Sequence, residues 1–297
     1  MRYKCLVLDH DDTVVNSTAT IHYPSFLAYL HEVRPGAYYS LEDYFRWNFE
    51  PGVLEFFRDV VGFSEEELTA EFHFWQDYVR TRVPEAYPGI REILQRHRAA
   101  GGLIAVISHS VSANILRDYR ENDLPEPDAV YGWELPPEQR KPNVWPMEDL
   151  IRRFALKPQD ILMVDDLKPG YDMCRACGVP FAAAGWANDV PEIEGFMRKN
   201  CDFYFKTVKE LDDFLKKVNC LTKNDPGACE RHAPGFLIRK LQVRSQWRRG
   251  FRRYNAIPPD IPSHCEAHDH KRISARCSHC APSATRRICK DQRPKRA

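Results

Sequence analysis

KCLVLDHDDT, residues 4–13, joins a short apolar run to three carboxylates. The apolar half has the pattern of a strand that is buried on both faces, as in a parallel sheet. Because side chains alternate along an extended backbone, we predict that Asp9 and Asp11 project to one side and that His10 and Asp12 project to the other. Two carboxylates that face one crevice repel each other, which favours a cation beside them. The alternative is that these acids only cap the helix that follows.

Two further apolar runs also end in polar residues. The runs are residues 103–107 and 161–164, and the polar residues that follow them or lie between them are Ser108, Lys141, Asp165 and Asp166. Open parallel sheets bind ligands at the carboxyl ends of their strands. The sequence therefore predicts that these side chains and the Asp9 segment meet at one edge of a sheet.

The ordered set Asp-x-Asp-x-Thr, Ser, Lys and Asp-Asp resembles the motifs of the haloacid dehalogenase-like (HAD) hydrolase superfamily, over about residues 3–218. The resemblance implies that Asp9 is a nucleophile and that Asp11 is a general acid and base. It implies that substrate phosphate is bound by Ser108, Lys141, Thr13 and His109. It also implies that Mg²⁺ is held by Asp9, Asp11, Asp165 and Asp166.

The chemistry of phosphoryl transfer explains why these residue types would be needed. The reaction requires in-line positioning and neutralisation of negative charge. Asp9 would attack phosphorus to give an aspartyl-phosphate, and Asp11 would protonate the leaving oxygen and later deprotonate water. For this Asp11 must hold a proton part of the time, which we expect the neighbouring carboxylates to favour. Mg²⁺ suits hard oxygen ligands from Asp9, Asp165, water and the backbone carbonyl of Asp11.

Several of these residues also have purely structural interpretations. Ser108 is compatible with an N-cap of the next helix, which does not exclude phosphate binding. Lys141 is compatible with a solvated lysine, and Lys168 is a competing cation; we prefer Lys141 because its place before Pro142 matches the family pattern. Asp165 and the acid after it are compatible with turn formation.

Individual residues distinguish a phosphatase from other proteins that have similar motifs. A haloacid dehalogenase lacks an acid two places after its nucleophile, whereas Asp11 is present here, so phosphate esters are preferred. Phosphonate-cleaving relatives use a lysine in the cap, and residues 14–86 contain none. A phospho-receiver domain has its acidic pair on the first strand and its phosphoacceptor on a middle strand, which is the opposite of the order in this chain. A β-phosphoglucomutase-like mutase and a non-catalytic phosphate-binding or nucleic-acid-binding protein remain open.

The alternation of strands and helices predicts an α/β fold, with a Rossmann-like, doubly wound parallel sheet. We assign residues 1–15 and 85–220 to this core. Residues 16–84 carry 16 of the 35 aromatic residues and read as short amphipathic helices, which predicts a small helical cap whose aromatic side chains mostly pack together. A helix is expected at residues 171–177 and a strand at residues 179–184.

The charge distribution separates the C-terminal segment from the rest. Residues 1–220 contain 25 Lys and Arg against 36 Asp and Glu, whereas residues 221–297 contain 18 against 6. This tail has only 11 Ile, Leu, Val and Phe among 77 residues, so we predict a disordered basic extension. Its arginines and aromatics leave nucleic-acid binding open, and its Cys and His residues leave zinc binding open, although their spacing fits no standard template.

The sequence indicates a cytoplasmic enzyme. The N-terminus runs directly into the first predicted strand, and no apolar run is long enough to cross a bilayer, so we expect no membrane partner. In that compartment the ten cysteines would be free thiols. Cys174 and Cys177 form a Cys-x-x-Cys within a predicted helix, which we interpret as packing rather than a redox or metal site. The expected partner is a small phosphorylated metabolite, and the oligomeric state is left open.

Overall fold

Six parallel strands form the centre of residues 1–221, which are the residues that the computed structural model describes. The strands are β1 (Cys5–Leu8), β2 (Leu103–Ile107), β3 (Ala129–Tyr131), β4 (Ile161–Asp165), β5 (Phe181–Ala184) and β6 (Phe203–Phe205). Their order in the sheet is β3-β2-β1-β4-β5-β6. The chain therefore moves outward from β1 to one edge and then returns to build the other half beside β1. The predicted doubly wound parallel sheet is confirmed.

Ten α-helices accompany the sheet in this part of the chain. They are α1 (Tyr23–Val33), α2 (Leu41–Phe49), α3 (Val53–Glu55), α4 (Glu65–Arg80), α5 (Ile90–Ala99), α6 (Ser112–Glu121), α7 (Trp145–Arg153), α8 (Lys168–Cys177), α9 (Pro191–Asn200) and α10 (Val208–Leu221). Two π-helical turns lie at Thr18–His22 and Phe56–Val61, and two 3₁₀ turns lie at Pro137–Gln139 and Pro158–Asp160.

The sheet is covered on both faces, as its continuous apolar strands require. Leu6 and Leu8 of β1 pack in one buried cluster with side chains from α5, α6 and α10. Cys5 and Val7, which point the other way, pack in a second cluster with side chains from α7, α8 and α9. The alternation of side chains along one strand thus supplies both cores.

The register of the central strands sets the location of the polar groups that follow them. Leu8 lies opposite Val106 of β2 and opposite Val164 of β4. In addition, the backbone N–H of Asp9 donates to the carbonyl of Val164 at 2.9 Å. The residues that follow β1, β2 and β4 therefore share one edge of the sheet.

The helical segment between β1 and α5 has an aromatic core of its own. The buried members of this cluster are Phe26, Tyr29, Leu30, Tyr44, Phe56, Phe57 and Phe63. A capping box begins α4, since Ser64 and Glu67 exchange side-chain to backbone hydrogen bonds. The predicted helical cap, with mostly packed aromatic residues, is confirmed; its boundaries at residues 16 and 84 stay predictions.

Some boundaries differ from the sequence expectations. Helix α9 was not predicted, although Pro191 at its first turn and Ile193 and Met197 on its buried side are typical helix signals. It provides the crossover that a parallel β5–β6 pair needs. Helix α8 begins at Lys168 rather than at residue 171, and β5 begins at Phe181 rather than at residue 179. The predicted tail, with its proposed zinc and nucleic-acid residues, lies outside the described residues except for Leu221, which ends α10.

No helix within residues 1–221 has the length and apolar character that crossing a membrane requires.

Candidate active site

A buried lysine joins two aspartates at the carboxyl edge of the sheet. Lys141 Nζ lies 2.7 Å from Asp165 Oδ2 and 3.0 Å from Asp9 Oδ1, and all three side chains are at most 4% exposed. The two carboxylates, Asp165 foremost, raise the pKa of Lys141 although burial opposes this, so the ammonium stays charged. The structure thus brings together three side chains that are 24 to 156 residues apart in the sequence.

Asp9, Asp165 and Asp166 form a cluster of three carboxylates, which we call the acidic cluster. One oxygen from each lies within 4.8 Å of the others. Burial raises the pKa of Asp165 to about 7 and raises the pKa of Asp166 well above its usual range, and neighbouring carboxylates add to both shifts. A single ammonium, that of Lys141, does not offset this concentration of negative charge.

The donor set of the acidic cluster fits a hard divalent cation. All three donors are carboxylate oxygens, which Mg²⁺ prefers. Asp9 Oδ1 is buried, and apart from its 3.0 Å ion pair with Lys141 Nζ it has no polar partner that satisfies it within the described residues. A buried oxygen with this unused bonding capacity is suited to a metal ligand. The Asp11 carboxylate is not a member of this cluster.

Asp11 instead accepts hydrogen bonds from three neighbouring side chains. Its Oδ1 lies 2.7 Å from the Ser17 hydroxyl and 2.9 Å from His22 Nε2, and its Oδ2 accepts a short hydrogen bond from the Ser110 hydroxyl. Burial would raise the pKa of Asp11, but His22, with smaller contributions from His10 and Ser110, outweighs burial and holds this pKa well below its ordinary value.

The expectation that neighbouring carboxylates help Asp11 to hold a proton is therefore wrong for this conformation. Its carboxylate is turned toward donors and away from the acidic cluster. In this loop and the acidic cluster, the carboxyl groups with raised pKa are Asp12, Asp165 and Asp166.

His10 and Asp12 serve the loop rather than the crevice, as predicted. His10 Nε2 lies 3.0 Å from the buried Asp118 carboxylate. Asp12 is in the left-handed region, with φ of 55°, and its Oδ1 accepts a hydrogen bond from the backbone N–H of Thr18 at 3.1 Å. This short polar side chain tolerates the left-handed conformation by bonding locally.

The predicted phosphate-binding residues lie around the same edge but make different contacts. Ser108 directly follows β2, is 4% exposed, and its hydroxyl accepts the N–H of Ser110 at 3.2 Å. It is not the N-cap of α6, which begins four residues later. The Thr13 hydroxyl donates to Asp166 Oδ1 at 3.3 Å.

His109 contacts the backbone that carries the site lysine. Its Nε2 lies 2.7 Å from the carbonyl oxygen of Lys141, so Nε2 carries the proton and donates. Burial, with the charge of Lys141, lowers the pKa of His109 to about 4, which keeps the ring neutral at pH 7. Lys168, the competing cation, lies on α8, where it pairs with Asp172 and Glu50.

Sequence reasoning missed most of the residues that hold Asp11. Ser17 and Ser110 carried no motif signal beyond their closeness to Asp11 and Ser108. For His22, which lies in the predicted cap, the charge that an imidazole can carry is the one sequence signal. Its Nδ1 accepts a hydrogen bond from the Trp75 indole N–H at 2.9 Å, a contact between residues 53 positions apart that no local pattern indicates.

Arg117 connects the cap to the core close to this loop. Its guanidinium donates to the carbonyls of Val79, Arg80 and Arg82, at the C-terminal end of α4, with distances of 2.9 to 3.0 Å. It also pairs with Asp118 at 2.8 Å. Carbonyls at a helix end lack intrahelical partners, and a cation there is favourable. Arg117 therefore fixes the end of α4 beside the Asp11 loop.

A narrow crevice lies between α4 and the core. Its lining includes Asp11, His22, Ser110, Trp75, Arg82 and Asn114. Carboxylate, hydroxyl, amide and guanidinium groups thus face one small space.

Fold and motifs together define a class of protein. The model of the haloacid dehalogenase-like hydrolase family matches residues 6–184, more than half of the chain. The chain belongs to this family.

Individual relatives agree with this assignment. A phosphoglycolate phosphatase from Nitrosospira multiformis is 35% identical over 147 residues, which are 47% of this chain and 60% of that protein. The chain thus spans about 60% of the length of this curated relative.

Solved structures show the same fold. A predicted phosphoglycolate phosphatase from Haemophilus somnus has a TM-score of 0.59 and 21% identity, over 73% of this chain and 99% of that one. CbbY from Rhodobacter sphaeroides, in complex with xylulose-(1,5)-bisphosphate, has a TM-score of 0.54 and 14% identity, over 70% and 96%. At these identities the likeness describes the fold alone.

Proposed function

We propose that the protein is a Mg²⁺-dependent phosphomonoester hydrolase that acts on a small phosphorylated metabolite through an aspartyl-phosphate intermediate. The observation that carries the proposal is the Asp9–Lys141–Asp165 arrangement, in which a buried carboxylate, a fixed ammonium and a second carboxylate meet at the edge of the sheet.

Asp9 is the proposed nucleophile. Its carboxylate attacks phosphorus, the bond to the ester oxygen breaks, and the phosphoryl group is left on Asp9. Lys141 is already held beside Asp9 and supplies fixed positive charge to the phosphoryl oxygens. Ser108, at the end of the neighbouring strand, is proposed to donate its hydroxyl to the same group.

Asp11 is the proposed general acid and base. It transfers a proton to the leaving oxygen and later accepts a proton from the water that hydrolyses the aspartyl-phosphate. In the described conformation Ser17 and His22 donate to its Oδ1 and Ser110 donates to its Oδ2, so Asp11 takes up the proton that it transfers only when one of these donors moves away.

Mg²⁺, when bound by Asp9, Asp165 and Asp166, supplies the positive charge that lets an anionic phosphate approach an anionic nucleophile. The close approach of these three carboxylates and the raised pKa of Asp165 support this assignment.

The polar lining of the crevice supports a small, polar substrate. Arg82 and Asn114 are the proposed contacts for the part of the substrate that is not phosphate. Phosphoglycolate, named for the relatives, is a candidate substrate. The free thiols of the five described cysteines support a reducing, cytoplasmic setting.

The test is phosphate release from p-nitrophenyl phosphate and from a metabolite panel that includes phosphoglycolate, with Mg²⁺ and with a chelator. We expect turnover that requires Mg²⁺ and that Asp9→Asn abolishes. The matched control is Asp77→Asn. Asp77 is exposed on α4 and pairs with Arg80 rather than with a residue of the acidic cluster. Phosphate binding without turnover would refute the proposal, and a requirement for a sugar bisphosphate would indicate a mutase instead.

A further inference from the structure

His109 links the loop that follows β2 to the backbone of the site lysine. Its Nε2 donates to the carbonyl oxygen of Lys141 at 2.7 Å, between residues that are 32 positions apart in the sequence. A carbonyl oxygen can only accept, so the ring must direct its Nε2–H at the loop that carries Lys141. The backbone of Lys141 is therefore bonded to the segment that also carries Ser108.

The His109 ring is itself held in one orientation. The Trp133 indole packs against it edge to face, with the ring centroids 5.7 Å apart. The backbone N–H of Trp133 donates to the carbonyl oxygen of Ser110 at 2.9 Å, and the Arg140 guanidinium lies 4.1 Å from the centroid of the Trp133 ring. Because Trp133 is fixed from two sides, the imidazole that packs against it is also fixed.

Arg140 and Asn143, which flank the lysine, bond within their own segment. Arg140 Nε donates to the carbonyl oxygen of Leu135 at 2.5 Å, and the backbone N–H of Asn143 donates to the carbonyl oxygen of Arg140 at 2.9 Å. These two bonds shape the loop without tying the lysine to the sheet. The bond from His109 ties the lysine backbone to the end of β2.

The ammonium of Lys141 is held by carboxylates that have other proposed roles. Its Nζ lies 3.0 Å from Asp9 Oδ1 and 2.7 Å from Asp165 Oδ2. Asp9 is the proposed nucleophile and Asp165 is a proposed ligand of Mg²⁺, so neither carboxylate serves the ammonium alone during turnover. A lysine side chain is a flexible four-carbon stem, so the position of its backbone then decides where the ammonium can reach.

We propose that His109 is a positioning residue that fixes the backbone of Lys141 and thereby places the Lys141 ammonium against the substrate phosphoryl group. The proposal rests on the proposed function in one respect, namely that Lys141 supplies positive charge to that group. His109 then acts through Lys141 rather than through the phosphate contact that the sequence motif implies. Electrostatic stabilisation depends on charges that are already in place, and small displacements of such groups are costly.

Two substitutions of His109 test this role in turnover. His109→Leu removes the donor and keeps an apolar side chain, whereas His109→Gln keeps an N–H donor of similar reach. We expect His109→Leu to lower kcat for p-nitrophenyl phosphate about tenfold, as for the loss of one hydrogen bond, and His109→Gln to restore kcat to within about threefold of wild type. A His109→Leu enzyme that is as active as wild type would overturn the proposal.

The matched control is His97→Leu. His97 Nε2 also contacts a backbone carbonyl, that of Leu103 at 3.1 Å, but Leu103 begins β2 and so lies at the opposite end of that strand. We expect His97→Leu to lower the free energy of unfolding in urea and to leave kcat within about twofold of wild type. An equal loss of kcat in His97→Leu and His109→Leu would indicate a merely structural role and would overturn the proposal.

A second measurement does not depend on turnover. ¹H–¹⁵N spectra of lysine ammonium groups report on Lys141 Nζ, whose side chain is 1% exposed and ion-paired, and its signal is assigned from its absence in Lys141→Arg. We expect this signal to be shifted or broadened in His109→Leu and to stay as in wild type in His109→Gln and His97→Leu. An unchanged Lys141 signal in His109→Leu would overturn the proposal even if the enzyme is a phosphatase. Loss of turnover in Asp9→Asn tests the proposed function separately.

Discussion

Gly170 is predicted to be essential because the Asp165 carboxylate occupies the space where any larger residue would place its Cβ. A Cβ built at position 170 would lie less than 3.0 Å from Oδ2 and Cγ of Asp165, a distance that real Cβ atoms do not show. The Asp165 carboxylate cannot move aside without losing its hydrogen bonds. It is fully buried, and it is held by Lys141 Nζ at 2.7 Å and by the Leu167 N–H at 2.8 Å.

The magnitude follows from the interactions that Gly170→Ala would break. Separating one partner from a buried ion pair costs about 3–5 kcal/mol, whereas alanine in a helix gains at most about 1 kcal/mol over glycine. We therefore expect Gly170→Ala to lower the free energy of unfolding by about 2–4 kcal/mol and to reduce phosphatase turnover strongly. Urea unfolding followed by tryptophan fluorescence measures the first effect, and phosphate release measures the second.

Gly195 in α9 provides the matched control. A Cβ there would meet nothing within 4 Å, so Gly195→Ala should stabilise the protein by about 0.5–1 kcal/mol. If Gly170→Ala proved as stable and as active as Gly195→Ala, the close approach of α8 to Asp165 would not be a constraint, and the described packing of the site would be wrong.

Three further predictions concern other parts of the site. Arg117→Leu should lower the free energy of unfolding in urea by about 2–3 kcal/mol, because it leaves the buried Asp118 carboxylate without its guanidinium partner. The control Arg120→Leu, at an exposed position, should change this free energy by less than about 0.5 kcal/mol. Equal effects of the two substitutions would refute a special role for Arg117. His109 has a pKa of about 4 in the folded protein and about 6.5 in the unfolded chain. The contribution of its neutral ring to the free energy of unfolding is therefore fully present above pH 6.5 and is lost as the pH falls. Between about pH 7 and pH 4, wild type should therefore lose up to about 3 kcal/mol more than His109→Gln in urea titrations, and parallel pH profiles would contradict this. Mg²⁺ at about 100 times its Kd should stabilise the fold by about 2.7 kcal/mol in thermal melts, reversed by a chelator, and a melting temperature that ignores Mg²⁺ would refute a metal at the acidic cluster.

The sequence alone determined the architecture of the core. Continuous apolar runs at residues 5–8, 103–107 and 161–164 specify strands buried on both faces, and such strands pair in parallel. Parallel strands have their carboxyl ends at one edge, so the acids and the serine that follow these runs had to converge. Lys141 was identified through a motif, and the structure brings it to the same edge. The aromatic content of the cap likewise specified a separate packed cluster, because bulky apolar side chains must be buried together.

Only the tertiary structure decided what each acidic side chain meets. Strand periodicity predicted that Asp9 and Asp11 share a side, but the chain leaves the strand after Leu8, and Asp11 turns toward Ser17, His22 and Ser110. The pKa of a carboxyl group depends on such partners at hydrogen-bond distance. The pKa of Asp11 is therefore lowered while that of the adjacent Asp12 is raised. A local pattern reports which face a residue occupies, whereas a hydrogen-bond partner 99 residues away, such as Ser110 for Asp11, exists only after the helices and strands have packed.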